Sequence, residues 1–288
     1  MSNPDYSYTI GDTVSLGCTA TDNVDPSPTC SYSGSVNTNI AGTYEITYTA
    51  TDSSGNIATL VVTYTVHEAN DYLSMDLSEY YNNAEGLEGE ALELALRTII
   101  SNYTYYSYDD ARYILDETDA DPNNPGNVIL VYTRDSVSGV WDAGATWNRE
   151  HVWPQSLLGY DTTMSADLHN LKPADPGENS SRSNKYYDWI ASSEAYEPPD
   201  AVKGDIARIL FYMLVRYETL SLVDTQPSTY EMGLLAVLLA WNDLDPVDDF
   251  ERNRNEVIYS YQDNRNPFID YPHFAELIFG DHAYYTNN

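Results

Sequence analysis

Chemistry-bearing side chains concentrate in one central stretch. It runs Thr146-Trp147-Asn148-Arg149-Glu150-His151-Val152-Trp153-Pro154-Gln155-Ser156, resumes at Asp167-Leu168-His169-Asn170-Leu171-Lys172-Pro173, and continues at Asn179 and Arg182-Ser183-Asn184. Two of the chain's five histidines stand here, and a carboxylate, Glu150, directly precedes His151. Asn179 opens a polar segment with no apolar face to account for it. A histidine serves as a general base near neutral pH because its unperturbed pKa is about 6.5. Carboxylate and amide oxygens are hard ligands suited to Mg²⁺, which keeps several waters and needs few protein ligands. One histidine base plus one lightly held hard cation is what phosphodiester hydrolysis requires. The base activates water, and the cation neutralises charge on the phosphate and leaving oxygens. A zinc hydrolase would show His-Glu-x-x-His on a helix or a third close histidine, and neither is present. A single histidine is more often structural than catalytic, so the pair alone leaves both readings open.

The chain around this stretch has 288 residues, enough for one or two domains. Its 42% hydrophobic and 20% charged residues are those of a folded soluble protein. The longest apolar run, residues 234–241, is far short of the roughly 20 residues a bilayer span needs, so no membrane span is expected. The net charge is −32, which taken alone argues against a polyanionic partner. Its distribution argues the other way. Residues 1–66, 67–144 and 191–288 carry net −6, −13 and −11, whereas residues 145–190 hold six acids and four bases, net −2. The acid surplus reads as a solubilising surface rather than a specific cation store.

Two regions with different patterning must position these residues. Over residues 10–66, Tyr44, Ile46, Tyr48 and Ala50 alternate with polar partners, turn residues follow at 52–56, and Ala58, Leu60, Val62, Tyr64 and Val66 alternate again. This period of two predicts a hairpin, and Thr-rich segments upstream predict further short strands of a β-sandwich. Asp residues in this region are expected as turn formers rather than calcium ligands. After residue 66 the pattern becomes helical. Helices are expected at 90–100, 204–217 and 230–241, a strand at 128–132, and an ordered loop with little regular structure at 245–272. The boundary is placed near residues 68–71. No repeat of 20–50 residues appears, which excludes a solenoid or propeller. Cys18 and Cys30 have no companion Cys or nearby His for a zinc site, which leaves a disulfide or two buried thiols. Met1 is followed by Ser, Asn, Pro and Asp, so no signal peptide is visible.

The N-terminal region resembles the small immunoglobulin-like repeats of bacterial surface and secreted proteins. The resemblance rests on Ala20-Thr21-Asp22-Asn23-Val24-Asp25, Ala41-Gly42-Thr43-Tyr44 and Tyr48-Thr49-Ala50-Thr51-Asp52 with Gly55-Asn56. The central blocks, Asn148 to Ser156 and Asp167 to Leu171, resemble the signature of the bacterial endonuclease I family, non-specific nucleases. The branch most similar is that of extracellular ribonucleases of Gram-positive bacteria. Asn179-Ser180-Ser181-Arg182-Ser183-Asn184, Lys203-Gly204-Asp205-Ile206-Ala207-Arg208, Phe211-Tyr212-Met213 and Asn264-Arg265-Asn266-Pro267-Phe268-Ile269-Asp270 continue that pattern in order.

The resemblance implies a two-domain chain. An immunoglobulin-like all-β sandwich occupies residues 1–68, and an α+β endonuclease I-like domain with a ββα-metal (His-Me) finger occupies residues 69–288. It implies His151 as general base and Glu150 and Asn179 as ligands of one divalent cation, Mg²⁺ or else Mn²⁺ or Ca²⁺. Arg149, His169, Asn170 and Arg182 lie in matching motifs and either touch substrate or brace the finger. Arg208 and Arg265 either bind phosphate or form structural ion pairs. The implied activity is cleavage of DNA, RNA or both through phosphate contacts, leaving 5′-phosphate and 3′-hydroxyl ends, by a secreted or surface protein. Tyr186, Tyr187 and Trp189 either stack bases or belong to the interior. The partner of the N-terminal domain is not indicated.

Three features depart from the family pattern. Residues 152–166 contain no Lys or Arg where relatives carry a basic loop, Ser165 replaces a Glu found in some relatives, and the net charge is −32. Two rival readings are an inactive nuclease fold serving adhesion or binding, and a phosphodiesterase of small nucleotides.

An acidic protein with a near-neutral site repels polyanions less as salt rises, because the Debye length falls below about 8 Å. Nuclease activity is therefore expected to persist or increase up to a few hundred millimolar salt. A steep monotonic loss in a salt titration would contradict this.

Overall fold

Alternation of apolar and Thr-rich positions builds the first of two units. The computed structural model describes residues 6–9, 13–22, 25, 27–40, 42–67 and 77–280. The chain divides into Met1–Met75 and Asp76–Asn288. The boundary expected near residues 68–71 lies outside the described residues, as do Asn23, Val24 and Ala41 of the N-terminal motifs.

In the first unit β1 (Tyr6–Thr9), β2 (Thr29–Ser33), β3 (Gly42–Thr51) and β4 (Ile57–His67) form one sheet in the order β1-β4-β3-β2. The antiparallel β3–β4 hairpin pairs Tyr44 with Tyr64 and Ile46 with Val62. The Asp52 carboxylate closes its turn by accepting from the backbone N–H of Ser54 and Asn56, at 2.9 and 2.8 Å. Gly55 supplies the left-handed φ of +87° that the turn needs. Val14, Leu16 and Val36 pack on the Ile46–Val62–Tyr64 face. Among the described residues this cover is irregular chain, not the expected second sheet. Residues 13–20 alternate exposed and half-buried as a strand would, but no ladder partner is beside them. A Cys18–Cys30 disulfide ties that segment to β2. Asp25 accepts from the backbone of Ser27 and Ser53, a turn-forming role.

The second unit begins with α1 (Gly89–Ile100), which buries Leu92, Leu96 and Ile100 on one face. Short α2 (Tyr108–Ala111) and α3 (Leu115–Thr118) lead to the β5 (Asn127–Ile129) and β6 (Ser136–Ser138) hairpin. Next come β7 (Asn148–His151), β8 (Leu171–Ala174) and α4 (Pro176–Arg182). The two-residue strands β9 (Tyr186–Tyr187) and β10 (Ala195–Tyr196) precede α5 (Lys203–Arg216). Residues 203–215 of α5 are all buried, and it packs against α1, α6 (Leu235–Leu244) and α8 (Pro267–Asp270). Between α5 and α6 lie β11 (Ser221–Val223) and β12 (Glu231–Gly233), and α7 (Asp249–Gln262) and α9 (Phe274–Phe279) complete the unit.

Three sequence expectations are corrected here. The helix expected at 230–241 begins only at Leu235, because residues 231–233 pair in parallel with 221–223. A Cβ at Gly233 would fall inside contact distance of the Val223 carbonyl, so the close approach of these strands depends on glycine. The strand expected at 128–132 is Asn127–Ile129, and the chain turns at 131–133. The segment 245–272, expected as loop, contains the fourteen-residue α7. Its buried face is Glu251, Arg254, Asn255, Ile258 and Gln262, a helical stripe of mostly polar side chains. Arg254 donates to Asp119 and to the Leu168 and Leu171 carbonyls, and Asn255 to the Asn266 carbonyl. The stripe is held by hydrogen bonds, so apolar periodicity could not reveal it.

The N-terminus of α5 is set against the end of α6. Gly204 donates its backbone N–H to Asp245 at 2.9 Å, and a Cβ there would collide with the Asp245 carbonyl and the Arg208 guanidinium. In an open helix Gly→Ala stabilises by up to about 1 kcal/mol. Here Gly204→Ala is expected to destabilise by about 1–3 kcal/mol. An unchanged or higher urea midpoint would contradict it.

Candidate active site

Strands β7 and β8 pair antiparallel, Glu150 opposite Lys172 and His151 opposite Leu171, and α4 follows directly. The helix starts where Asp175 caps the backbone N–H of Gly177 and Glu178, with Pro176 in its first turn. Asn179 and Arg182 stand near its middle and end. Arg182 donates through Nη1 to Glu150 Oε1 at 2.9 Å and to the His151 carbonyl at 2.8 Å, and through Nη2 to the Val152 carbonyl at 2.6 Å. One buried guanidinium therefore fixes the helix to the end of β7.

A cavity of about 350 Å³ opens here, lined by Arg149, Glu150, His151, Asn179, Arg182 and Tyr160 among others. His151 Nε2 lies 2.9 Å from the Ser165 carbonyl. A carbonyl only accepts, so Nε2 carries the hydrogen and Nδ1 keeps the lone pair. Nδ1 has no hydrogen bond among the described residues. The ring stacks on Tyr108 at 5.0 Å. Burial pushes the His151 pKa down to about 4, helped by the charges of Arg149 and Arg182, so the ring is neutral at neutral pH.

Glu150 is buried. Its Oε1 accepts from Arg182 and from the Tyr132 hydroxyl at 2.6 Å, and the Tyr187 hydroxyl lies 2.8 Å from that of Tyr132. Burial raises the Glu150 pKa while Arg182 and Tyr132 oppose the rise. Both side-chain donors use Oε1, so no side chain donates to Oε2 among the described residues. Asn179 Nδ2 donates to Asn148 Oδ1 at 2.8 Å, which orients the amide and leaves Asn179 Oδ1 unbonded among the described residues. Two hard oxygens that no side chain donates to, and one imidazole nitrogen, thus belong to residues lining one cavity. Among the described residues no three His, Cys, Asp or Glu side chains converge as a metal cluster.

The other sequence-derived residues lie as follows. Arg149 lines the cavity with its guanidinium 3.6 Å over the Tyr108 ring and bonded to the Tyr108 carbonyl. Asn170 is buried and bonds both backbone polar groups of Trp153, bracing the chain after β7. His169 is buried against Tyr212, 3.3 Å from the Asn264 carbonyl. Arg208 is buried on Glu251, and Arg265 pairs with Asp270 and Glu256, and neither lines the cavity. Tyr187 is buried, Trp189 is 39% exposed against Trp241, and neither they nor Tyr186 line it. Sequence reasoning missed Tyr132, Tyr108, Asn148 and Tyr160. Tyr132 fell inside an expected strand, Asn148 stood in the central motif with no role assigned to it, and no spacing marks Tyr108 or Tyr160.

The sequence matches the Endonuclease I family over residues 88–195 and 189–273, and the bacterial surface protein Ig-like domain over residues 7–68. It is 46% identical to an extracellular ribonuclease of Bacillus amyloliquefaciens over 71% of this chain and 79% of that protein. It is also 46% identical to an extracellular ribonuclease of Bacillus subtilis (strain 168), over 70% and 79%. An extracellular deoxyribonuclease of Aeromonas hydrophila is 34% identical over 37% of this chain and 50% of that protein.

Removing one partner of a buried ion pair costs about 3–5 kcal/mol. Arg182→Met is expected to lose about that much stability in chemical denaturation, and adding Glu150→Gln is expected to restore part of it. Equal stability of wild type and Arg182→Met would contradict the role given to this pair.

Proposed function

The chain belongs to the Endonuclease I family and is a nuclease, and from that premise we propose that it hydrolyses phosphodiester bonds of RNA, DNA or both outside the cell or at its surface, with His151 as general base. The observation that carries this reading is the state of the His151 ring. Nε2–H is committed to the Ser165 carbonyl, Nδ1 is open, and the ring is neutral. His151 Nδ1 takes a proton from the attacking water while the Ser165 carbonyl holds the ring in position.

Nucleases of this family generally depend on a metal. The residues present fit one, because Glu150 Oε2 and Asn179 Oδ1 are hard oxygens that no side chain donates to among the described residues. They would hold Mg²⁺, with Mn²⁺ or Ca²⁺ as substitutes, and β7, β8 and α4 would be the two strands and helix of a ββα-metal finger. Such a cation supplies stabilisation of the negative charge that builds on the phosphate oxygens. Arg182 and Tyr132 orient Glu150 and offset part of the burial that disfavours its charge, and Asn148 orients the Asn179 amide. The products carry 5′-phosphate and 3′-hydroxyl ends. Recognition is through phosphates, with little base specificity. Residues 69–288 form the nuclease, and residues 1–68 an immunoglobulin-like spacer or adhesive module.

Plasmid DNA and single-stranded RNA digested with Mg²⁺, with EDTA, and by His151→Ala test this. Cleavage is expected with Mg²⁺ and absent with EDTA, and His151→Ala is expected to be slower by about 10²–10⁴-fold. A folded His151→Ala protein cutting at the wild-type rate, or cleavage indifferent to EDTA, would overturn the mechanism.

A further inference from the structure

The charge of this protein poses a binding problem at its own site. A polynucleotide gains most of its affinity from neutralised phosphates, yet this chain carries net −32. Among the described residues, the cations lining the cavity are Arg149 and Arg182. Arg182 spends its Nη groups on Glu150 and two backbone carbonyls. Arg149 lies over Tyr108 and donates to its carbonyl. Arginine contacts to phosphate at the cavity are therefore limited, and a contact that does not depend on charge adds affinity there.

Tyr160 is placed to make one. It lines the same cavity as Glu150, His151 and Asn179, and is 67% exposed. An aromatic ring that open at the mouth of a polar cavity has a face available for stacking. Its backbone is unusual as well, at φ +60° directly after Gly159 at φ +62°. For a bulky residue this left-handed conformation is an outlier, and such strain persists where the surrounding structure over-determines it. Here the surroundings do so. Tyr160 N–H donates to the Gln155 carbonyl at 3.0 Å, and the Tyr230 N–H donates to the Leu157 carbonyl at 2.6 Å. A Cβ at Gly159 would stand 2.5 Å from the Tyr230 hydroxyl, so the tight seat of this loop requires glycine. Ser156, on the same loop and lining the same cavity, has a buried hydroxyl without a partner among the described residues.

Resting on the nuclease reading of this cavity, we infer that Tyr160 is a stacking platform for a nucleobase next to the cleaved phosphate, and that it makes single-stranded nucleic acid the preferred substrate class. Every base has a π-face, so the contact is tolerant of sequence, and it is not screened by salt. In a duplex the bases are already stacked on one another, so a duplex gains nothing from Tyr160.

The test compares wild type, Tyr160→Ala and Tyr160→Trp on a short labelled single-stranded oligoribonucleotide and on its duplex with the complementary strand. Binding is read by fluorescence anisotropy, cleavage as separate kcat and KM, and folding by thermal melting. Tyr160→Ala is expected to raise Kd and KM for the single strand about tenfold or more. Its kcat and its values on the duplex are expected to stay within about twofold, and Tyr160→Trp to retain single-strand affinity. Equal losses on both probes, or no loss, in a folded Tyr160→Ala protein would overturn the platform alone. A wild-type protein that neither binds nor cuts either probe would overturn the nuclease reading and the platform with it.

Discussion

The guanidinium of Arg182 reaches across from the end of one helix and takes hold of three groups on the neighbouring strand end: Glu150, the His151 carbonyl and the Val152 carbonyl. The rest of the site depends on that grip. It sets the distance between α4 and β7, and therefore between Asn179 and Glu150. It occupies Oε1 of Glu150 and leaves Oε2 open. The bond to the His151 carbonyl fixes the backbone from which the imidazole projects. An Arg suits this task better than a Lys, because its planar fork meets several acceptors at fixed angles.

The same economy of cations runs through the second unit. Of the thirteen Lys and Arg residues, Lys172, Arg182, Lys203, Arg208 and Arg254 are buried. Asp119 receives both Lys172 and Arg254, and Arg208 is shared between Glu251 and Asp205. Arg254 also holds the Leu168 and Leu171 carbonyls at the entry to β8. These pairs act as positioning devices more than as sources of net stability, since burying charge offsets much of the Coulombic gain. They also leave the solvent-facing surface poorer in positive charge than composition alone implies. A −32 protein that buries five of its thirteen cations has fewer left to offer a phosphate backbone.

How much of this was legible beforehand follows from the physics of each element. The β3–β4 hairpin and helices α1 and α5 announce themselves through apolar periodicity, because they are held by apolar burial. Helix α7 does not, because Arg254, Asn255 and Gln262 face inward through hydrogen bonds. Strand β12 stands just before the apolar run 234–241 and was read as part of its helix, and its pairing with residues 221–223 decides it. At the site, Glu150, His151, Asn179 and Arg182 were marked by motif and do line one cavity. Tyr132 lay outside every motif and Asn148 stood in one without a role, since what they contribute is a hydrogen bond to a residue far away in sequence. Arg208 and Arg265 stand in equally well-marked motifs, yet their partners are carboxylates away from the cavity. A motif records that a residue is needed without recording for what.

The imidazole of His151 is steadied by a main-chain oxygen, that of Ser165, and not by a carboxylate side chain. Every residue type carries such an oxygen, so this support survives any exchange of side chain at position 165 that leaves the backbone path unchanged. The Ser165 hydroxyl itself is buried without a partner, which underlines that the side chain is not what the ring leans on. The orientation of this ring is therefore robust to genetic drift at its supporting position. It is vulnerable instead to changes in the path of the chain between β7 and β8, such as a shortened or lengthened loop.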